Sequence, residues 1–145
     1  MTTKTLLLCI CTTILLLPSC KKDGTNDGDL TTSIVGHYTN SSTNTDIVVN
    51  KIDNSKVSIT LSSGSGSGAY DVAFSSVTMN SATAFTLNTV TQNGAVCIGT
   101  ETFSGTGTHS GNNISLFMTV VGTNPSGPTP YDCSGTDTRN VSATK

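Results

Sequence analysis

The chain has 145 residues, of which 7 are Lys or Arg, 9 are Asp or Glu and only 34% are hydrophobic, so one modest domain is the most it can build. A net charge of −2 excludes a nucleic-acid binder of the usual kind, which needs a basic surface to displace counterions. Charged residues make up 11% while Ser and Thr number 46, so the chain is polar without being charged and the high-charge route to disorder does not apply.

Residues 1–19 read as an export leader. Lys4 lies in a short basic region, and Leu6 to Leu17 form an apolar stretch broken only by Thr12 and Thr13. A membrane-spanning helix needs about 20 apolar residues, so this stretch fits a secretory signal better. Its end, Leu17-Pro18-Ser19-Cys20, resembles the lipobox of bacterial lipoproteins. That resemblance implies cleavage before Cys20 and acylation of its thiol, which would anchor the protein to a membrane because each buried CH₂ contributes about 0.8 kcal/mol.

Residues 20–32 are expected to be a flexible tether, because Lys21 to Asp29 hold no apolar side chain. Lys and acidic residues directly after the Cys resemble lipoproteins sorted to the outer membrane, which implies an outer-membrane location on its periplasmic or its surface-exposed face. The spacing of Asp23, Thr25, Asp27, Gly28 and Asp29 is like the start of a calcium loop, but its twelfth position is Ile34 instead of a bidentate Glu. No metal is expected there.

Residues 33–145 are expected to be one all-β domain. No segment after Leu30 carries apolar residues at helical spacing, whereas several alternate with period two. The clearest are Val57-Ile59-Leu61, Tyr70-Val72-Phe74 and Ile114-Leu116-Met118-Val120. Weaker candidates run over residues 34–39, 46–52, 84–90, 95–103 and 132–141. About eight short strands at this spacing predict an antiparallel up-and-down β-barrel, with a β-sandwich as the alternative. Turns are expected at Ser62–Gly68, Asn93-Gly94, Ser110–Asn113 and the proline-bearing Gly122–Pro130, of which Asn93-Gly94 is the sharpest signal.

The 5 cysteines divide by position. Cys9 and Cys11 leave with the leader and Cys20 is taken by lipid, so Cys97 and Cys133 remain. In an oxidising envelope they are expected to form a disulfide, the alternative being two buried free thiols. If both sat on strands separated by one neighbour they would stand two strand spacings apart, about 9.6 Å, beyond the disulfide reach of about 7 Å. Cys133 is therefore expected in the proline-bearing loop folded back over the barrel end, and not in a bond between two sheets.

The opening Ile34-Val35-Gly36-His37-Tyr38, the hairpin Gly105 to Leu116 and a late Arg139 resemble small lipocalin-like, or calycin-like, bacterial lipoproteins. The resemblance implies barrel closure by Gly36, Tyr38 and Arg139, with Tyr38 in place of the family's Trp and Arg139 packed across its ring. Up to eight candidate strands, a thin apolar set and an exported, anchored context further suggest a cavity or mouth that takes a small apolar or amphipathic ligand, the alternative being a barrel filled by its own side chains.

Chemistry is sparse. His37 adjoins Tyr38 on one strand and so faces water if Tyr38 faces inward. His109 lies in a Gly, Ser and Thr stretch and is expected to be solvated. Glu101 has no identifiable acidic partner, and Gly64-Ser65-Gly66-Ser67-Gly68 lacks the strand-to-helix setting of a serine nucleophile. No catalytic residue, cofactor or metal is expected. The sequence points to a non-enzymatic envelope protein that binds a small ligand, or else to an interaction domain that contacts an envelope protein or a glycan. Aromatic residues at 5%, with Tyr70 and Tyr131 as the candidate platform, count against sugar stacking.

Overall fold

In a computed structural model, residues 28–65, 69–94, 97–124 and 133–145 are described; the leader, Cys20 and most of the tether lie outside the described residues. Eight antiparallel strands follow one another around a closed barrel: β1 (Gly36–Asn40), β2 (Thr45–Lys51), β3 (Lys56–Ser63), β4 (Tyr70–Ser81), β5 (Ala84–Asn93), β6 (Thr100–Ser110), β7 (Asn113–Thr123) and β8 (Gly135–Thr144). Each strand pairs with its sequence neighbour, the up-and-down order expected from the regular strand spacing. Among the described residues no helix is long and apolar enough to cross a membrane.

The period-two patterns become the barrel's two faces. Ile47 and Val49 on β2, Val57, Ile59 and Leu61 on β3, and Ile114, Leu116 and Met118 on β7 all point inward and are buried. Each fully buried Leu or Ile contributes about 1.5–3 kcal/mol. The intervening Ser and Thr face out, where Thr91 meets Thr102 at 2.9 Å and Ser115 meets Ser142 at 2.9 Å across neighbouring strands. The high Ser and Thr content is thus the outer wall of a sheet whose single buried face is apolar.

The wall is not uniform. β6 pairs with β7 over 11 residue pairs and β7 with β8 over 10, but β4 meets β5 through only three, Thr78↔Thr86, Met79↔Phe85 and Ser81↔Ala84. β1 meets β8 through the single pair Thr39↔Thr144. The eight strands form one closed sheet in which the β4–β5 and β1–β8 seams carry the fewest paired residues, and the sandwich alternative is not what forms. Gln92 bridges one seam by donating from Nε2 to the Asp71 carbonyl at 2.5 Å, and Asn40 bridges the other by donating from Nδ2 to the Ser142 carbonyl at 3.0 Å.

Two sequence expectations shift. β6 begins at Thr100 and runs to Ser110, later than the predicted strand over 95–103, because its inward positions Gly105 and Gly107 have no apolar side chain to mark them. A Cβ at Gly107 would collide with the Phe85 ring, so the ring of β5 fills the space that the glycine leaves. Asn93-Gly94 does not form a two-residue hairpin. It opens the connection 94–99, in which the Gly94 N–H donates to the Gly99 carbonyl at 3.0 Å. The tight turn is instead at Gly111, whose φ of +58° lies in the left-handed region open to glycine.

One barrel end, the floor, is closed by the N-terminal approach. The Leu30 N–H donates to the Asn54 carbonyl at 2.9 Å, the Thr31 hydroxyl donates to the Asp53 carbonyl at 3.2 Å, and Ile34 is fully buried. Asp29 accepts a hydrogen bond from the Thr31 N–H at 2.9 Å and pairs with Lys51. Attachment to the barrel thus starts at Asp29, inside the stretch 20–32 expected to be free tether, because Leu30 and Thr31 have backbone and side-chain partners in the β2–β3 turn.

Candidate functional site at the barrel mouth

The opposite end, the mouth, collects the connections β1–β2, β3–β4, β5–β6 and β7–β8. On β8, Arg139, Val141 and Ala143 share the inward parity, and Met118, inward on β7, lies opposite Arg139. Arg139 therefore points into the barrel near its rim, with its guanidinium carbon 4.6 Å from the centroid of the Tyr70 ring. Tyr70 is 7% exposed and stacks on Phe103, with ring centroids 6.0 Å apart. Arg139 Nε donates to Asp137 Oδ2 at 3.1 Å.

Burial pushes the Tyr70 hydroxyl pKa up, opposed by bonding to Ser63 and by the Arg139 charge. Next to it, Thr43 and Thr45 share a hydroxyl hydrogen bond at 2.8 Å, and Thr45 and Ser63 share another at 2.8 Å. Thr45 and Ser63 are inward-facing hydroxyls at the ends of otherwise apolar strand faces, and both are buried.

Between the β8 edge, the β1–β2 turn and the end of β3 lies an open cleft of about 760 Å³, with Arg139 and Tyr70 in its lining. On the other side of Arg139 a smaller cleft of about 280 Å³ is lined by Glu101, Asp137 and the two cysteines. Glu101 does therefore share a cleft with a second acid, Asp137, which the sequence spacing did not reveal because the two lie on strands separated by β7.

Cys97 and Cys133 stand at disulfide distance, with Cα atoms 5.1 Å apart. The two-strand gap is bridged because neither sits on a strand. Cys97 belongs to the β5–β6 connection, and Cys133, which precedes β8, donates its N–H to the Ile98 carbonyl at 3.2 Å; the proline-bearing residues 125–130 expected to fold back over the barrel end lie outside the described residues. Two glycines make room: a Cβ at Gly122 would fall on the Cys133 carbonyl, and one at Gly94 would fall on both sulfurs.

The closure residues separate. Tyr38 is fully buried and donates from its hydroxyl to the Ile34 carbonyl at 2.5 Å, and burial pushes its pKa up to about 12. The cation over its ring is not Arg139, as expected, but Lys145, with Nζ 5.1 Å from the centroid. The register explains the correction: β8 meets β1 at Thr144, so the residue just beyond reaches Tyr38, while Arg139 lies farther up β8 toward the mouth. Gly36 lies beside the same lysine, and a Cβ there would stand 2.6 Å from Lys145 Cε. Lys145 Nζ also donates to the Ser33 carbonyl at 2.9 Å. Strand parity beyond Val141 and Ala143 was the one signal that could have pointed to Lys145.

The histidines differ from each other. His37 faces outward, as its position beside Tyr38 requires, and pairs with exposed Asp46 on the outer wall. His109 is not solvated. It is 4% exposed, faces inward on β6, and its ring sits edge-on to Tyr38 at 6.1 Å. Its Nε2 has no hydrogen-bond partner among the described residues. Tyr70, covered by Arg139, is not an exposed platform, and Tyr131 lies outside the described residues. No group of three or more His, Cys, Asp or Glu side chains among the described residues is placed to hold a metal ion.

Comparison of the chain with family models, curated protein sequences and solved structures returns no match. The reading of function therefore rests on the site itself.

Proposed function

We propose that the protein is a non-enzymatic, lipocalin-like lipoprotein of the bacterial cell envelope, anchored in the outer membrane through acyl chains on Cys20, whose barrel mouth binds a small amphipathic ligand. The Leu17–Cys20 motif after a short apolar leader supports the anchor. One observation carries the binding site: Arg139 points inward at the rim over a buried aromatic ring and lines an open cleft of about 760 Å³. That size falls within the roughly 300–1,000 Å³ of small-molecule sites. The barrel axis favours the mouth over the interior, because Tyr38, Phe74, Phe85 and Phe103 occupy it at 0–1% exposure.

In this reading Arg139 receives the polar part of the ligand. The anchor is tested by metabolic labelling with palmitate, which the wild-type chain incorporates and the Cys20→Ala chain does not. Binding is tested with laurate as a simple amphipathic anion: Arg139→Gln is expected to weaken it about tenfold, the scale of about 1.4 kcal/mol for one charge-assisted hydrogen bond. Equal affinities in the two proteins would remove Arg139 from the site.

A second reading, an interaction domain that contacts an envelope protein, is favoured by Phe117 and Val121. They stand on the same outer face of β7 at 48% and 41% exposure.

A further inference from the structure

Resting on the mouth as the ligand seat, we propose that the polar part of the ligand is an acidic saccharide, a sugar bearing a carboxylate or a phosphate. The larger cleft is sorted by chemistry. Its lining holds one cation, Arg139, no carboxylate, and otherwise chiefly hydroxyl and carboxamide side chains, among them Ser42, Thr43, Asn44, Asn140 and Ser142. Hydroxyls and carboxamides both donate and accept, as sugar hydroxyls do, whereas a purely apolar ligand finds only Tyr70 and Val141 to cover. Asp137 and Glu101 line the smaller cleft instead. An anion entering the larger cleft thus finds no carboxylate in its wall and meets a guanidinium whose Nε is paired with Asp137 on the far side.

Arg139 is also held for the task. Its Nε bond to Asp137 at 3.1 Å and its seat 4.6 Å over the Tyr70 ring hold the guanidinium at two points. Beyond these contacts and its interaction with the Tyr70 hydroxyl, the guanidinium has N–H groups left to donate to a carboxylate or phosphate. Because the guanidinium covers the Tyr70 ring, a sugar here is recognised by hydrogen bonds and not by stacking. The low aromatic content is then no obstacle.

The test is calorimetric titration of the unlipidated Cys20→Ala full chain with digalacturonate, glucose 6-phosphate, maltose and laurate. The expected result is binding of digalacturonate, glucose 6-phosphate or both, at least tenfold tighter than maltose, falling about tenfold in Arg139→Gln and recovering in part in Arg139→Lys. Equal affinity for maltose and the acidic sugars overturns the acidic requirement. Arg139-dependent binding of laurate with no binding of either acidic sugar overturns the saccharide while the mouth remains a ligand seat. Binding of none of the four overturns both readings. Circular dichroism melting of each variant separates loss of binding from loss of fold.

Discussion

His109 shows how one side chain ties the floor of the barrel to pH. Burial holds its pKa below the ordinary 6.5, and the Lys145 charge pushes the same way, against the carbonyls of Gly111 and Ala82. The folded protein therefore keeps the ring neutral, while the unfolded chain takes up a proton near pH 6.5. Its contribution to stability is complete above that pH and is lost as pH falls below it toward the depressed folded value. Melting temperature is expected to decline between pH 6.5 and 5 in the wild type and to decline less in His109→Gln; parallel curves would show that another group controls acid sensitivity. Asp29 and Asp53 act in a lower window. Lys51 and Thr31 hold the first well below the usual carboxylate range, and the Ser55 N–H and hydroxyl hold the second down. The outward direction of His37 was legible from its neighbour Tyr38, whereas the inward direction of His109 was not, because Gly105 and Gly107 break the apolar alternation that would have revealed its face.

At the scale of strands, most of the barrel was legible, since β3, β7 and the first half of β4 carry clean alternations of large apolar residues. Seam strength was not, because it depends on register between strands far apart in sequence. β1 has five residues and one pair with β8, whereas β6 and β7 are paired along their full lengths. Hydrogen exchange is expected to follow this difference: amides of β1 should exchange before those of β6 and β7, in a local opening at the β1–β8 seam that leaves β5 to β8 paired. Equal protection of β1, β6 and β7 would contradict a weak β1–β8 seam. The Cys97–Cys133 pair ties the β5–β6 connection to the approach of β8. Closing a 36-residue loop, it stabilises by about 4 kcal/mol in the chain-entropy model. The pairing was legible by elimination among the cysteines, but the clearance given by Gly94 and Gly122 was not, because both read as ordinary turn glycines.

At the scale of the whole molecule, the two ends have different work. The floor is sealed by Ile34, Tyr38 and Lys145 and receives the chain arriving from the N-terminal side at Asp29. The mouth lies at the other end and holds the cation and the hydroxyls. Arg139 was legible as a special residue but was assigned to the wrong end, since sequence alone does not say how far β8 slides along β1. The most direct test of a mouth site is an NMR titration of the unlipidated chain with digalacturonate and, separately, with laurate. A mouth site predicts that shift changes concentrate at Thr45, Ser63, Tyr70 and Arg139 and spare Phe74, Phe85 and Leu116. Changes centred on those three core residues would contradict it and place the ligand inside the barrel.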